Sequence, residues 1–322
     1  MLVRVQEPRT EILDSLLKNG VHMSRRSILF AACLCVPAAL AQQARSAYPP
    51  QMEGAQVEVY KTAGNVTLSI YIFNPPGHKP GDQRPAIVFF FGGGWRSGNP
   101  KQFEQQCRYL SSRGMVAMAA DYRVASRHNV KAIDCVRDAK SAVRWVRQNA
   151  SRLGVDPGRI AAGGGSAGGH LAAAAGVIPG LDEPGEDLKV SSRPDALVLF
   201  NPALVLAPVA DFARPLVPAE ARERFGAEPE AISPYHQLAK GAPPTIIFHG
   251  KADTTVPYFT VELFAKKSAA LGNRCELVGF EGERHGFFNY GRGGNQRYRE
   301  TLTRADEFLA SLGYLEGKPR AP

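Results

Sequence analysis

A serine set between glycines is where this sequence first offers chemistry. Arg159-Ile160-Ala161-Ala162 runs into Gly163-Gly164-Gly165-Ser166-Ala167-Gly168-Gly169-His170, which holds Gly-x-Ser-x-Gly between an apolar run and a helical one. Glycines on both sides permit the tight, strained turn that lifts a hydroxyl clear of a sheet, so Ser166 reads as a nucleophile. A flexible loop or a phosphate-binding turn is the bland alternative. A dinucleotide site would place Gly-x-Gly-x-x-Gly early in the chain with an acid about twenty residues on, and no such arrangement opens this sheet.

A serine hydroxyl attacks an ester near neutrality only if a histidine takes its proton and an acid orients that histidine. His285, in Glu283-Arg284-His285-Gly286-Phe287 after the last apolar run, is the candidate base. His170, just behind Ser166, reads as a packing or hydrogen-bonding residue, and His249 as a brace for the loop that follows it. His78, His128 and His236 read as surface or structural residues. Chain order puts the acid between serine and histidine, and Asp253 follows a strand in His249-Gly250-Lys251-Ala252-Asp253. Its other reading is an N-cap for a helix starting near Pro257; Glu283 and Asp211 are the reserve acids. Phe91-Gly92-Gly93-Gly94-Trp95 ends the first buried run, so the amides of Gly93 and Gly94, with that of Ala167, are the candidate oxyanion donors. Trp95 offers either an aromatic wall for substrate binding or a packing residue. No His, Cys, Asp and Glu cluster has metal spacing, and no cofactor is expected.

The surrounding pattern must position these groups. Val57–Tyr60 and Val66–Phe73 alternate apolar and polar around Ala63-Gly64-Asn65, a hairpin signature. Ala86–Phe91 is uninterrupted apolar sequence, as in a parallel strand buried on both faces, and Met115–Ala120, Ile160–Ala162, Ala196–Phe200, Thr245–Phe248 and Glu276–Phe280 resemble it. Helical patterns over Lys101–Arg113, Ala132–Ala150, Ala167–Ala175, Tyr258–Leu271 and Gln296–Leu312 separate them. Alternation of this kind predicts an α/β fold, a mostly parallel doubly wound sheet with an amino-terminal antiparallel hairpin. Residues 201–241, rich in proline and charge, interrupt the alternation as a cap insertion over the carboxyl ends of the strands.

Gly92-Gly93-Gly94-Trp95, Asp121-Tyr122-Arg123, Gly164–His170, His249-Gly250 with Asp253 and Val256-Pro257, and His285-Gly286-Phe287 follow one another in that order. Together they resemble the α/β-hydrolase esterases related to hormone-sensitive lipase and to bacterial acetyl and feruloyl esterases, over about residues 55–315. The resemblance implies a serine carboxylesterase acting on short acyl esters, acetyl or hydroxycinnamoyl, on a small-molecule or carbohydrate substrate. It implies Ser166, Asp253 and His285 as the triad and Gly93, Gly94 and Ala167 as the oxyanion donors. The sequence departs from that pattern at Phe91, where such esterases commonly carry histidine. Exopeptidases of the prolyl-oligopeptidase type share the Ser, Asp, His order but usually carry a propeller domain in front. A non-catalytic binding module on the same fold would have lost a triad member, and none is missing.

The 322 residues, 44% hydrophobic, can fill a real core. Their 39 basic against 30 acidic residues give +9, scattered without blocks, which argues against a nucleic-acid surface. Residues 1–41 read as an export signal: Ser24-Arg25-Arg26-Ser27 precedes the apolar run Ile28–Ala41, too short to span a membrane, and small residues end it. The paired arginines resemble the twin-arginine signal, with Met23 as an internal start. Residues 42–322 then form one domain, periplasmic or secreted, without a stable membrane anchor. Export leaves Cys107, Cys135 and Cys275. Helices after successive strands tend to lie on opposite faces of such a sheet, which argues against a Cys107–Cys135 bond.

Overall fold

Strand and helix alternate as the apolar runs require. The computed structural model describes residues 48–209 and 222–320; the export segment and the middle of the cap insertion, 210–221, lie outside the described residues. The strands are β1 (Gln56–Ala63), β2 (Val66–Phe73), β3 (Arg84–Phe90), β4 (Val116–Ala120), β5 (Val155–Gly165), β6 (Ala196–Phe200), β7 (Thr245–Gly250) and β8 (Cys275–Phe280). They form one sheet in the order β1-β2-β4-β3-β5-β6-β7-β8. The hairpin β1–β2 joins antiparallel through β2–β4, and every later pairing is parallel.

The long helices are α1 (Glu104–Ser112), α2 (Ala132–Gln148), α3 (Ala167–Val177), α4 (Tyr258–Ala270) and α5 (Gln296–Ser311). Successive residues of β3 alternate between two cores. Val88 and Phe90 pack with side chains of α2, α3 and α4, whereas Ile87 and Phe89 pack with those of α1 and α5. This is why the β3 run is continuous rather than alternating: both faces are dry. Cys135 belongs to the first core and Cys107 to the second, so the sheet separates them and both thiols are free. Cys275 is free as well.

The second core carries an aromatic stack directly under the site. Phe103 lies face to face with Phe89 at 4.8 Å, and Phe200 with Phe288 at 4.7 Å. Fully burying such a ring stabilises the fold by roughly 1.5–3 kcal/mol. The stack presses on the nucleophile's turn, because a Cβ on Gly165 would lie 2.6 Å from Phe288 Cζ.

On the other face, Asp121-Tyr122-Arg123 joins elements. Tyr122 donates its hydroxyl to the Phe91 carbonyl at 2.7 Å, and the Arg123 guanidinium grips the fully buried Asp138 carboxylate of α2, with Nη2 at 2.7 Å. Lys61 of β1 shares that carboxylate at 2.7 Å, and Glu183 meets both Lys61 and Arg123, so two acids compensate two cations. From the insertion, the Arg224 and Phe225 carbonyls accept the Ala132 and Ile133 amides, satisfying the amino end of α2.

Candidate active site

The nucleophile's position follows from glycine. β5 ends at Gly165 and α3 begins at Ala167, leaving Ser166 alone in the turn at φ 55, ψ −118, a conformation side-chain-bearing residues rarely adopt. Neighbouring backbone holds it there: the Ser166 amide donates to the Phe200 carbonyl at 2.9 Å, and the His170 amide donates to the Ser166 carbonyl at 3.0 Å. The turn passes so close to the end of β3 that a Cβ on Gly168 would stand 2.0 Å from the Phe90 carbonyl oxygen. Only glycine fits there.

His285 and Asp253 come from loops after β8 and β7, adjacent strands of the sheet. His285 Nε2 lies 2.9 Å from Ser166 Oγ, and its Nδ1 lies 2.7 Å from Asp253 Oδ2. Since an ionised carboxylate only accepts, Nδ1 carries the proton and Nε2 is free to accept the serine hydroxyl. Asp253 is itself anchored, its Oδ1 taking the amides of Thr255 at 2.8 Å and Val256 at 2.9 Å. Burial pushes its carboxyl up, but hydrogen bonds from His249, His285 and the Val256 amide outweigh burial and hold it well below the usual carboxylate range. His249 Nε2 donates to the Val256 carbonyl at 2.8 Å and stands 3.3 Å from Asp253 Oδ2, the bracing position expected of it. Of the reserve acids, Glu283 is committed to Arg297 at 2.8 Å, and Asp211 lies outside the described residues.

The glycine loop lies against the serine: a Cβ on Gly92 would approach Ser166 Cβ to 3.3 Å. Gly92's amide is spent on Gln102 Oε1 at 2.6 Å, while those of Gly93, Gly94 and Ala167 meet no protein acceptor among the described residues. Phe91, in place of a histidine, anchors the loop by stacking on Tyr122 at 4.0 Å and through the hydroxyl that Tyr122 gives its carbonyl. Gln102 then ties this loop to the histidine loop, because its Nε2 donates to Asn289 Oδ1 at 2.9 Å and Asn289 Nδ2 donates to the Gly286 carbonyl at 2.8 Å. Asn201, at the end of β6, accepts the Gly286 amide at 3.0 Å. Sequence reading missed Gln102, Asn201 and Asn289. Only Asn289, four residues beyond His285, stood near a motif, and the others act across spacings that carry no local signal.

The structure corrects the reading of Trp95 as a substrate contact. Gly93, Gly94 and Trp95 all have positive φ, 131, 62 and 59, which reverses the chain and sends the indole into the core. Trp95 is 7% exposed, its Nε1 donates to His170 Nδ1 at 3.2 Å, and its ring meets Phe225 edge-on at 5.7 Å. His170 spends Nε2 on the Ile232 carbonyl at 2.7 Å. An indole only donates and a carbonyl only accepts, so this imidazole is neutral and protonated at Nε2.

Burial lowers the His170 pKa to about 4, with the Ile232 hydrogen bond opposing. The unfolded chain, at the ordinary 6.5, therefore binds the proton first. Stability is complete above pH 6.5 and is lost as pH falls from there toward 4, by up to on the order of 3 kcal/mol. Denaturant midpoints across this window should show a steeper acid slope for the wild type than for His170→Gln. Equal slopes would remove His170 as the cause.

Ser166, His285, Gly93 and Gly94 open onto one cleft of about 720 Å³, with Asn99, Lys101, Gln102, Thr255 and Arg292 around it. Among the described residues no group of three His, Cys, Asp or Glu side chains is placed to hold a metal ion. A second cavity, of about 520 Å³, is lined by Gly176–Gly180 beyond α3 and by 239–242 before β7, away from these groups.

A doubly wound sheet with a hydrogen-bonded Ser-His-Asp chain at its carboxyl ends defines the class as an α/β hydrolase. The chain belongs to the alpha/beta hydrolase fold family, whose model matches residues 87–289. It is 58% identical to esterase 2 of Thermogutta terrifontis, whose apo structure superposes with a TM-score of 0.81 and covers 84% of this chain and 100% of that one. Esterase LipC of Mycobacterium tuberculosis is 28% identical over 220 residues, 65% of this chain and 54% of that protein. Isoprenylcysteine alpha-carbonyl methylesterase of Arabidopsis thaliana is 28% identical over 241 residues, 70% of this chain and 55% of that one. The match thus spans about half the length of these two relatives.

Proposed function

We propose that this protein is a serine carboxylesterase acting on short acyl esters. The observation that carries the reading is the run of contacts from Ser166 Oγ to His285 Nε2 at 2.9 Å and from His285 Nδ1 to Asp253 Oδ2 at 2.7 Å, beside unspent amides of Gly93 and Gly94. Ser166 Oγ attacks the ester carbonyl carbon as its proton passes to His285 Nε2. The carbonyl oxygen becomes an oxyanion, taken by the amides of Gly93, Gly94 and Ala167. Collapse breaks the ester C–O bond, His285 returns the proton to the leaving alcohol, and a water repeats the sequence on the acyl-enzyme to release the acid.

Short acyl chains follow from the cleft lining, where Phe288 is the one large apolar side chain among the described residues and is itself only 1% exposed. A long alkyl chain gains affinity at about 0.8 kcal/mol for each methylene it buries, and the cleft exposes no large apolar side chain to extend that gain along a long chain. Esterase 2 of Thermogutta terrifontis has been solved with propionate and with butyrate bound, and phosphorylated by paraoxon, which supports small acyl groups and a reactive nucleophile for its relative here. With Trp95 buried, the aromatic wall that would favour hydroxycinnamoyl groups is gone, so the reading rests on acetyl to butyryl esters. Export to the periplasm belongs to the same proposal and rests on the sequence of residues 1–41. Among the described residues no helix is long and apolar enough to cross a membrane.

A fluorophosphonate probe should label wild-type protein at Ser166. On a panel of aryl esters kcat/KM should fall from acetyl and butyryl to decanoyl, with no jump when substrate passes its solubility limit, and aminoacyl amides should be poor. Interfacial activation on tributyrin emulsions, or a maximum at twelve carbons, would move the protein to the lipases.

A further inference from the structure

The carboxylesterase reading leaves the charge of the cleft unexplained. Lys101 and Arg292 both line it and both are exposed, and no carboxylate lines it among the described residues. Arg292 folds back onto the base's own loop, donating Nη1 to the His285 carbonyl at 3.2 Å, which ties a guanidinium to the backbone of the triad histidine. Lys101 adjoins Gln102, whose carboxamide holds the glycine loop. A third cation covers that loop from the insertion: Arg224 Nη1 lies 3.7 Å from where a Cβ on Gly94 would stand.

None of these three makes an ion pair among the described residues, whereas elsewhere Arg113, Arg123, Arg144 and Arg297 each grip a carboxylate of the chain. The acids of the triad's own loops are already committed, Asp253 enclosed with His285 and Glu283 held by Arg297. A cleft walled by one sign of charge focuses its field on whatever enters it.

Resting on the esterase reading of this same site, we propose that its substrates are short esters bearing a free carboxylate, drawn in and oriented by Lys101, Arg292 and Arg224. The carboxylate stands either on the acyl side, as in a half-ester of a dicarboxylic acid, or on the alcohol side, as in an O-acylated hydroxy acid. Both present the same anion to the same cations, and no carboxylate in the lining opposes it.

The test compares matched pairs in a pH-stat. Monomethyl succinate against methyl butyrate covers the acyl side, and 3-acetoxypropionate against 3-acetoxypropionamide covers the alcohol side. At low salt the anionic member of at least one pair should have the higher kcat/KM, by about tenfold for charges this close to a partly solvated site. About 0.5 M salt should shrink the preference, since it screens beyond a few ångströms. The double variant Lys101→Glu/Arg292→Glu, at two exposed positions, should invert it. Neutral members hydrolysed as fast as anionic ones in both pairs would overturn the inference and leave the esterase reading standing. So would a preference that neither salt nor the double variant moves. Hydrolysis of no member of either pair would bring down the esterase reading together with it.

Discussion

Ser166→Ala removes ester hydrolysis by about 10⁴-fold or more in kcat/KM while the thermal transition stays within a few degrees of the wild type. The loss is large because the triad acts as one unit: without Oγ, His285 has no hydroxyl to deprotonate, and what remains is a bound water attacking a carbonyl polarised by the loop amides. The fold survives because alanine keeps the Cβ. The strain of φ 55 is the same for either residue, and the contacts that hold the turn run through the backbone of Ser166 to Phe200 and His170. Among the described residues the hydroxyl's one hydrogen-bond partner is His285 Nε2, so removing it orphans one imidazole nitrogen that faces the open cleft. Initial rates on an aryl butyrate and a circular dichroism melt of the same preparation decide the matter. Activity within tenfold of wild type would mean that another group is the nucleophile.

How much of this is legible in the sequence varies with the range of the interaction. Strand runs such as Ala86–Phe91 and the helix face repeating through Ala132, Cys135, Val136 and Ala139 announce themselves because burial imposes a period on the chain. Ser166, Asp253 and His285 were legible for another reason: each stands at the carboxyl end of a strand, where glycine or a short loop marks the exit. Trp95 shows where local reading stops. Its neighbours suggested a cleft, but three successive positive φ values turned the indole inward, and a backbone reversal of that kind leaves glycine as its only trace at two of the three positions. Gln102 and Asn289 lie 187 residues apart in sequence and meet only because β3 and the loop after β8 end at the same edge of the cleft. No periodicity encodes that pairing. Separation of the two buried cysteines, by contrast, was accessible from topology, since helices that follow neighbouring strands here cover opposite faces.

Asp253→Asn should cost about 10³- to 10⁴-fold in kcat, and its cause can be read atom by atom. The asparagine oxygen can keep the amides of Thr255 and Val256, which bind Oδ1 in the wild type. Its nitrogen then falls where Oδ2 was and presents N–H to His285 Nδ1 at a distance set by the 2.7 Å contact. Two donors cannot face each other, so the imidazole moves its proton to Nε2 and offers Ser166 a hydrogen where it needs a lone pair. The charge is lost as well, and with it the stabilisation of the imidazolium that forms during attack. Because the Asp253 carboxyl is held below its usual range in the fold, its ionised form stabilises the native state above the ordinary carboxylate pKa, and that stability is lost as pH falls through the depressed value. The asparagine variant should therefore be less stable than wild type at neutral pH and converge toward it in acid. Glu283→Gln is the matched control, since it removes a carboxylate that pairs with Arg297 outside the triad, and its kcat should stay within a few-fold of wild type. Single-turnover rates on both variants separate the acid that orients His285 from the one that only borders its loop, and a Glu283→Gln loss exceeding that of Asp253→Asn would transfer the role to Glu283.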